Sequence, residues 1–266
     1  MRTVAASRYV TPLREGGSLP AIVEADDDGL YVLKFRGAGQ GPKALIAEVI
    51  AGELARVAGL NVPEIVRMTL DVELARTEPD PEIQELIRAS AGLNLGLDYL
   101  PGSITFDPLM QLPGAPVPDA MLASQIVWFD ACMTNIDRTA RNTNLLVWHR
   151  QLWLIDHGAA LYFHHAWERG VDIGALAAKP FAMIRDHALL PMASELEQAD
   201  ALLTQRLTAA EIDRVVDLVP DEWLLAAQPD LPPPLHRRDY SQYLQQRVAA
   251  SPIFTQEALR ARAAHL

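Results

Sequence analysis

A single cysteine, Cys132, occurs in 266 residues, so no internal disulfide can form and stability has to come from a packed core. Positive charge is also short, with 23 Lys and Arg against 34 Asp and Glu and a formal charge of −11. Sequence-independent nucleic-acid binding depends on Lys and Arg neutralising phosphates, so that class is not expected. No apolar run approaches the roughly 18 to 20 residues that a membrane-crossing helix needs. The opening "MRTVAASRYVTPLREGG" lacks the apolar core of a signal peptide, and with the lone cysteine it sets a cytoplasmic expectation. Internal repeats and low-complexity tracts are missing too. What remains, 50% hydrophobic and 21% charged residues, is the composition of an ordinary folded protein with one large domain or two small lobes.

The first hundred residues read as strands and one helix. "SRYVTPL" is a strand, "REGGSLP" a glycine turn, and "AIVEADD" with "LYVLKF" a hairpin around "DDDG". "PKALIAEVIAGELARVAG" repeats apolar residues at helical spacing, opens on Pro42 and closes on Gly59, both ordinary helix punctuation. "NVPEIVRMTLDVELA" reads as further strand, and "GLNLGLDYLPGSITF" as a strand entering a Pro-Gly turn. A boundary near Tyr99 to Gly102 separates this small sheet, residues 1–100, from a mainly helical remainder, residues 101–266. Asp119 caps the helix "DAMLASQIVWFDACMTN". Further helical segments fall around Pro191–Gln205, Ala209–Leu218 and Tyr240–Ala249, with "PDLPPPLHRRD" as a surface loop.

The chemistry gathers in "NIDRTARNTNLLVWHRQLWLIDHGAALYFHH", Asn135 to His165. "NLLVWH" and "LWLI" are β-type runs flanking "RQ", a short hairpin whose second strand ends at Asp156, with Gly158 letting the chain turn. Asp137 and Asn142 precede the first strand and Asp156 follows the second, so strand pairing brings the two ends together. An Asp, an Asn and an Asp form a hard-oxygen site suited to Mg²⁺ held on nucleotide phosphates, with one carboxylate left to accept a proton. Alone, an Asp-x4-Asn is more often a pair of loop residues capping local backbone. His157, His164 and His165 also admit a transition-metal reading, but adjacent histidines on an extended chain point to opposite faces. Trp128, Trp148 and Trp153 read as core, and Cys132 as a buried small hydrophobe.

"DRTARN" followed by "LIDHG" resembles the paired "DRHxxN" and "IDFG" of phosphoinositide kinases and HipA-like kinases, the atypical branch of the protein-kinase-like group. "YVLKF" followed by "LIAEVIAGELA" resembles the "YVVKF" strand and acidic helix of HipA-like kinases, and the likeness runs from about Arg8 to Pro220. It departs at Thr139, where the family has histidine, and at His157, where phenylalanine is usual.

The resemblance implies an α+β, two-lobed protein-kinase-like fold: a small N-terminal β-sheet lobe with one helix and a mainly helical C-terminal lobe. It implies transfer of the γ-phosphoryl of ATP, with Mg²⁺, to a hydroxyl, for which protein Ser or Thr is the family-level acceptor ahead of a small molecule or lipid. Asp137 would position or deprotonate the acceptor, and Asn142 and Asp156 would hold Mg²⁺. Lys34 would contact the α- and β-phosphates, with Glu48 holding it and Glu53 as the alternative partner. Gly16, Gly17 and Ser18 would cover the phosphates, Ser18 being itself a candidate for self-phosphorylation, and "LGLDYL", with Leu97 and Tyr99, would be the hinge that meets adenine. Two rival classes stand beside this one. A nucleotide-binding module without transfer would explain the Thr139 and His157 departures, and a metal-dependent phosphohydrolase would use the Asp and His residues with water as acceptor.

Overall fold

Five strands of the computed structural model, which describes residues 1–13, 19–39, 41–76, 78–108, 117–167 and 171–264, close into a barrel. They are β1 (Thr3–Pro12), β2 (Ala21–Ala25), β3 (Leu30–Lys34), β4 (Ile65–Leu70) and β5 (Gly92–Asp98), in the order β1-β2-β3-β5-β4. All neighbours are antiparallel except β1 and β4, which close the barrel in parallel. Alternation fixes the inner face: Ala21, Val23, Tyr31, Leu33, Phe35, Val66 and Met68 are buried in one core. Lys34 ends β3 opposite Leu95, half-buried, between the core residues Leu33 and Phe35.

Helix α1 (Pro42–Val57) is apolar nearly all round, the pattern of a buried helix, and Glu48 within it is only 1% exposed. By internal contacts the chain divides into two units. One contains residues 1–46 and 63–101, the other 47–62 and 102–266, so that α1 begins in the first and continues in the second.

The first unit holds a second helix that the sequence reading lacked, α2 (Pro81–Ala89). Its signals are conventional: Asp80 caps it by accepting from Glu82 N at 3.0 Å, proline opens it, and Ile83 and Ile87 are buried one turn apart. "DVELA" also departs from the strand expectation. Asp71 Oδ1 accepts from Glu73 N at 2.9 Å, and this local turn starts a 3₁₀ segment over Val72–Arg76.

The second unit is built on α3 (Ala120–Met133), with β6 (Ile104–Thr105), β7 (Leu145–Trp148) and β8 (Gln151–Leu154) forming a small antiparallel sheet. Helices α4 (Ile173–Ala177), α5 (Leu196–Arg206), α6 (Ala209–Val216), α7 (Asp221–Ala227), α8 (Pro233–Ala249) and α9 (Ser251–Ala263) complete it. The proline run expected as a loop lies largely inside α8. Prolines fit a helix's first turn because their missing N–H has no intrahelical partner there, so "PPLHRRD" opens the helix. Trp128, on α3, packs edge-on to Phe254 of α9 at 5.2 Å and donates its indole N–H to Asp200 at 2.7 Å. Trp148 and Trp153 are half-buried and stack edge-on at 5.3 Å on the hairpin, so the core expectation holds for Trp128 alone of the three.

Candidate active site

Helix α3 ends just before the stretch that carries the expected site residues Asp137 and Asn142. Asp130 lies in its last turn, fully buried, and Thr134 leaves the helix in a left-handed conformation (φ 50°), a costly state for a β-branched residue. Asn135 N then donates to Asp130 O at 2.9 Å.

The Asp130 carboxylate is the hub of the loop that follows. Its Oδ1 accepts from Asn135 Nδ2 at 2.9 Å, and its Oδ2 accepts from Arg138 Nε at 2.6 Å and from His187 Nε2 at 2.9 Å. Burial alone would push this carboxyl up, but Arg138 and His187 outweigh it and hold it well below the usual carboxylate range. Arg138, 1% exposed, reaches on with Nη1 to the carbonyls of Thr143, at 3.4 Å, and Asn144. One buried ion pair thereby folds residues 138–144 back on themselves.

Held on that support, Asp137 accepts two amide N–H bonds on a single oxygen, Oδ2: from Asn142 Nδ2 at 2.8 Å and Asn144 Nδ2 at 3.1 Å. Its own N–H donates to Asn135 Oδ1 at 3.2 Å. With Oδ2 occupied, Oδ1 is the oxygen left to accept a proton or a hydroxyl hydrogen bond. Thr139 stitches the loop through backbone: its N–H meets Asp137 O at 3.0 Å and Asn142 O at 2.9 Å, and it bridges to His187 in antiparallel fashion.

Hairpin pairing carries Asp156 to the same end as Asn142. Leu145 pairs with Leu154, and one step further Ile155 N donates to Asn144 O at 3.1 Å. The tight turn is His149 and Arg150, both with positive φ (48° and 63°), one residue earlier than the expected Arg150-Gln151. Asp156 itself is left-handed (φ 55°), a state that Asp tolerates better than most residues. Asp156 and Asn142 offer oxygen: the Asn142 NH₂ is turned to Asp137, which leaves its Oδ1 for a cation. No group of three or more His, Cys, Asp or Glu able to hold a metal occurs among the described residues. An Asp-plus-Asn donor pair fits a hard divalent ion shared with phosphate oxygens.

Glu48 is buried with its Oε1 3.3 Å from His157 Nδ1, whereas Glu53, the alternative acidic residue, pairs with Arg56 at 3.4 Å and is more exposed. The first unit carries Lys34, while Asp137, Asn142, Asp156 and Glu48 all belong to the second. Leu97 lies in β5 between Val32 and Ile65, and the Tyr99 N–H is bonded to Leu30 O at 2.9 Å. Gly16, Gly17 and Ser18 lie outside the described residues.

Five contributors were not anticipated from sequence: Asp130, Asn135, Arg138, Asn144 and His187. A lone carboxylate in the apolar run "IVWFDACM" was a readable sign for Asp130, and the "NTN" doublet one for Asn144. His187 enters from 57 residues beyond Asp130 with no local pattern to announce it.

A family model described as HipA-like kinase matches residues 7–250. A search of curated protein sequences finds no match. Among solved structures, the Helicobacter pylori proinflammatory kinase CtkA aligns with a TM-score of 0.55 at 12% identity, covering 97% of this chain and 99% of its own. The Golgi casein kinase aligns at 0.53 and 12% identity, covering 99% of this chain and 75% of its own. At such identity the structural likeness speaks for the fold, which is protein-kinase-like, with a mixed sheet region and a mainly helical remainder. The family match spans nearly the whole sequence, and the chain therefore belongs to the HipA-like kinase family.

Proposed function

We propose that this protein transfers the γ-phosphoryl group of Mg-ATP to a hydroxyl, with Ser or Thr of a protein as acceptor. The observation that carries the reading is the Asp137 carboxylate, one oxygen clamped by Asn142 and Asn144 and the whole loop seated on the buried Asp130–Arg138 pair. A module that only binds nucleotide has no need for a carboxylate so fixed with an oxygen left over.

In this reading Asp137 Oδ1 accepts the hydrogen of the attacking hydroxyl and orients its oxygen, a general-base and positioning role. Asn142 Oδ1 and Asp156 hold Mg²⁺, which when bound neutralises charge on the phosphate oxygens. Lys34, the last residue of β3, is the proposed contact of the α- and β-phosphates, with Glu48 as its proposed partner. The hinge at Leu97 and Tyr99 meets adenine, and Gly16, Gly17 and Ser18 cover the phosphates. No helix among the described residues is long and apolar enough to cross a membrane.

Incubating pure protein with γ-labelled ATP and Mg²⁺ tests the reading. Label on the protein itself or on an added protein acceptor is the expected outcome. Label released only as free phosphate would mark a phosphohydrolase, and no turnover with intact nucleotide binding would mark a binding module.

A further inference from the structure

Between Asp156 and Gly158, where the resembling kinases have phenylalanine, this chain has His157, and its surroundings are polar as well as apolar. The imidazole is completely buried, and its Nδ1 lies 3.3 Å from Oε1 of Glu48, which is itself 1% exposed. Both residues belong to the same unit. With Glu48 ionised its oxygens only accept, which assigns the proton of this contact to His157 Nδ1. Phenylalanine would fill a similar volume but bring no donor to a buried carboxylate, a group that loses stability whenever a donor is withdrawn.

The neighbouring backbone gives the contact its consequence. Asp156 is left-handed at φ 55°, and the hydrogen bonds on either side, Ile155 N to Asn144 O at 3.1 Å and Ala160 N to His157 O at 2.9 Å, hold that turn. The His157 side chain adds a third constraint, tying the residue next to Asp156 to helix α1. A carboxylate in a sparsely populated backbone state keeps its direction only when the surroundings over-determine it.

We propose that His157 is a positioning residue that locks Asp156 to Glu48, so that the metal-holding carboxylate and the carboxylate that serves the nucleotide lysine move as one body. The inference rests on the kinase reading above and adds to it a coupling between its two acidic residues. It also gives the departure at His157 a use: the imidazole replaces an apolar contact with a directed one.

The test measures binding of a non-hydrolysable ATP analogue by calorimetry, with and without Mg²⁺, in wild type, His157→Phe and His157→Gln. Loss of the buried bond to Glu48 should weaken Mg²⁺-dependent analogue binding about tenfold in His157→Phe and change the Mg²⁺-free affinity much less. His157→Gln, whose side-chain NH₂ can still donate to Glu48, should recover most of the loss. A merely structural role predicts the opposite pattern: equal losses with and without Mg²⁺, or no recovery by Gln, and either overturns the proposal. Should His157→Phe not fold, the ring ¹⁵N resonances of wild-type His157 decide. A protonated Nδ1 is expected, and an unprotonated Nδ1 removes the tie. Wild-type protein that binds no Mg²⁺–analogue complex overturns the kinase reading itself, an outcome distinct from any failure among the variants.

Discussion

Asp137 and Asp156 are the same residue type in one short stretch, and their surroundings separate them. Asp137 is braced by two side-chain amides on one oxygen, at 2.8 and 3.1 Å, which fixes its other oxygen as an acceptor. Asp156, two residues past β8, is itself left-handed at φ 55°, the backbone that would have to stay fixed for the cation-holding role proposed for it. Asp137→Asn should therefore leave Mg²⁺-ATP affinity within a few-fold while phosphoryl transfer falls by roughly 10²-fold or more, the size of a lost general base. Asp156→Ala should instead lose most of the Mg²⁺-dependent increment in ATP affinity, because the ion loses its carboxylate. Calorimetric titration beside the transfer assay reads both. Normal transfer by Asp137→Asn, or normal Mg²⁺-ATP binding by Asp156→Ala, would sink the role concerned. Thr139 belongs at this scale too. Its backbone closes the loop and its neighbour across the bridge is His187, so an imidazole lies beside the loop although the sequence has none at 139.

At the scale of elements, α3 does two jobs, packing the second unit and presenting Asp130 at its end. Its start is set by Asp119, whose carboxylate accepts from Leu122 N at 2.7 Å and is itself exposed. Asp119→Ala should cost about 1 kcal/mol, a melting shift of roughly 2–4 °C for a protein of this size, with phosphoryl transfer per folded molecule unchanged. A melting temperature equal to wild type would mean the cap carries no weight. The hairpin, α1 and the Asp119 cap were all legible in the sequence because periodicity and capping chemistry are local. Helix α2 was legible too, in "DPEIQELIRAS", but its single buried pair, Ile83 and Ile87, makes a thin apolar stripe. The start of α8 was misread because proline breaks a helix interior yet suits its first turn. The support under the Asp137 loop was the least legible part, since the Asp130–His187 contact joins residues 57 apart and no local pattern encodes it.

For the whole molecule, the same buried cluster sets how stability should respond to acid. His187 is neutral by construction: Nε2–H points at Asp130, and Nδ1 accepts from Leu189 N at 3.0 Å, so protonation would break that second bond. Burial pushes its pKa below the ordinary 6.5, only partly opposed by Asp130. The unfolded chain therefore takes up this proton first as pH falls. The folded state has its full advantage above about pH 6.5 and loses it progressively below, because stability rises with pH wherever the unfolded state binds more protons. Asp130, held below the carboxylate range once Arg138 and His187 outweigh its burial, adds a second loss that begins only near pH 4, where unfolded carboxylates protonate. Thermal melts of the wild type should thus fall between pH 7 and 5, before carboxylates titrate. His187→Gln keeps a donor near Asp130 without a titrating ring, and should melt lower at pH 7 yet show a shallower decline over that interval. An unchanged slope in His187→Gln would assign the acid sensitivity to other histidines, and would show that the Asp130 hub does not depend on the ring staying neutral.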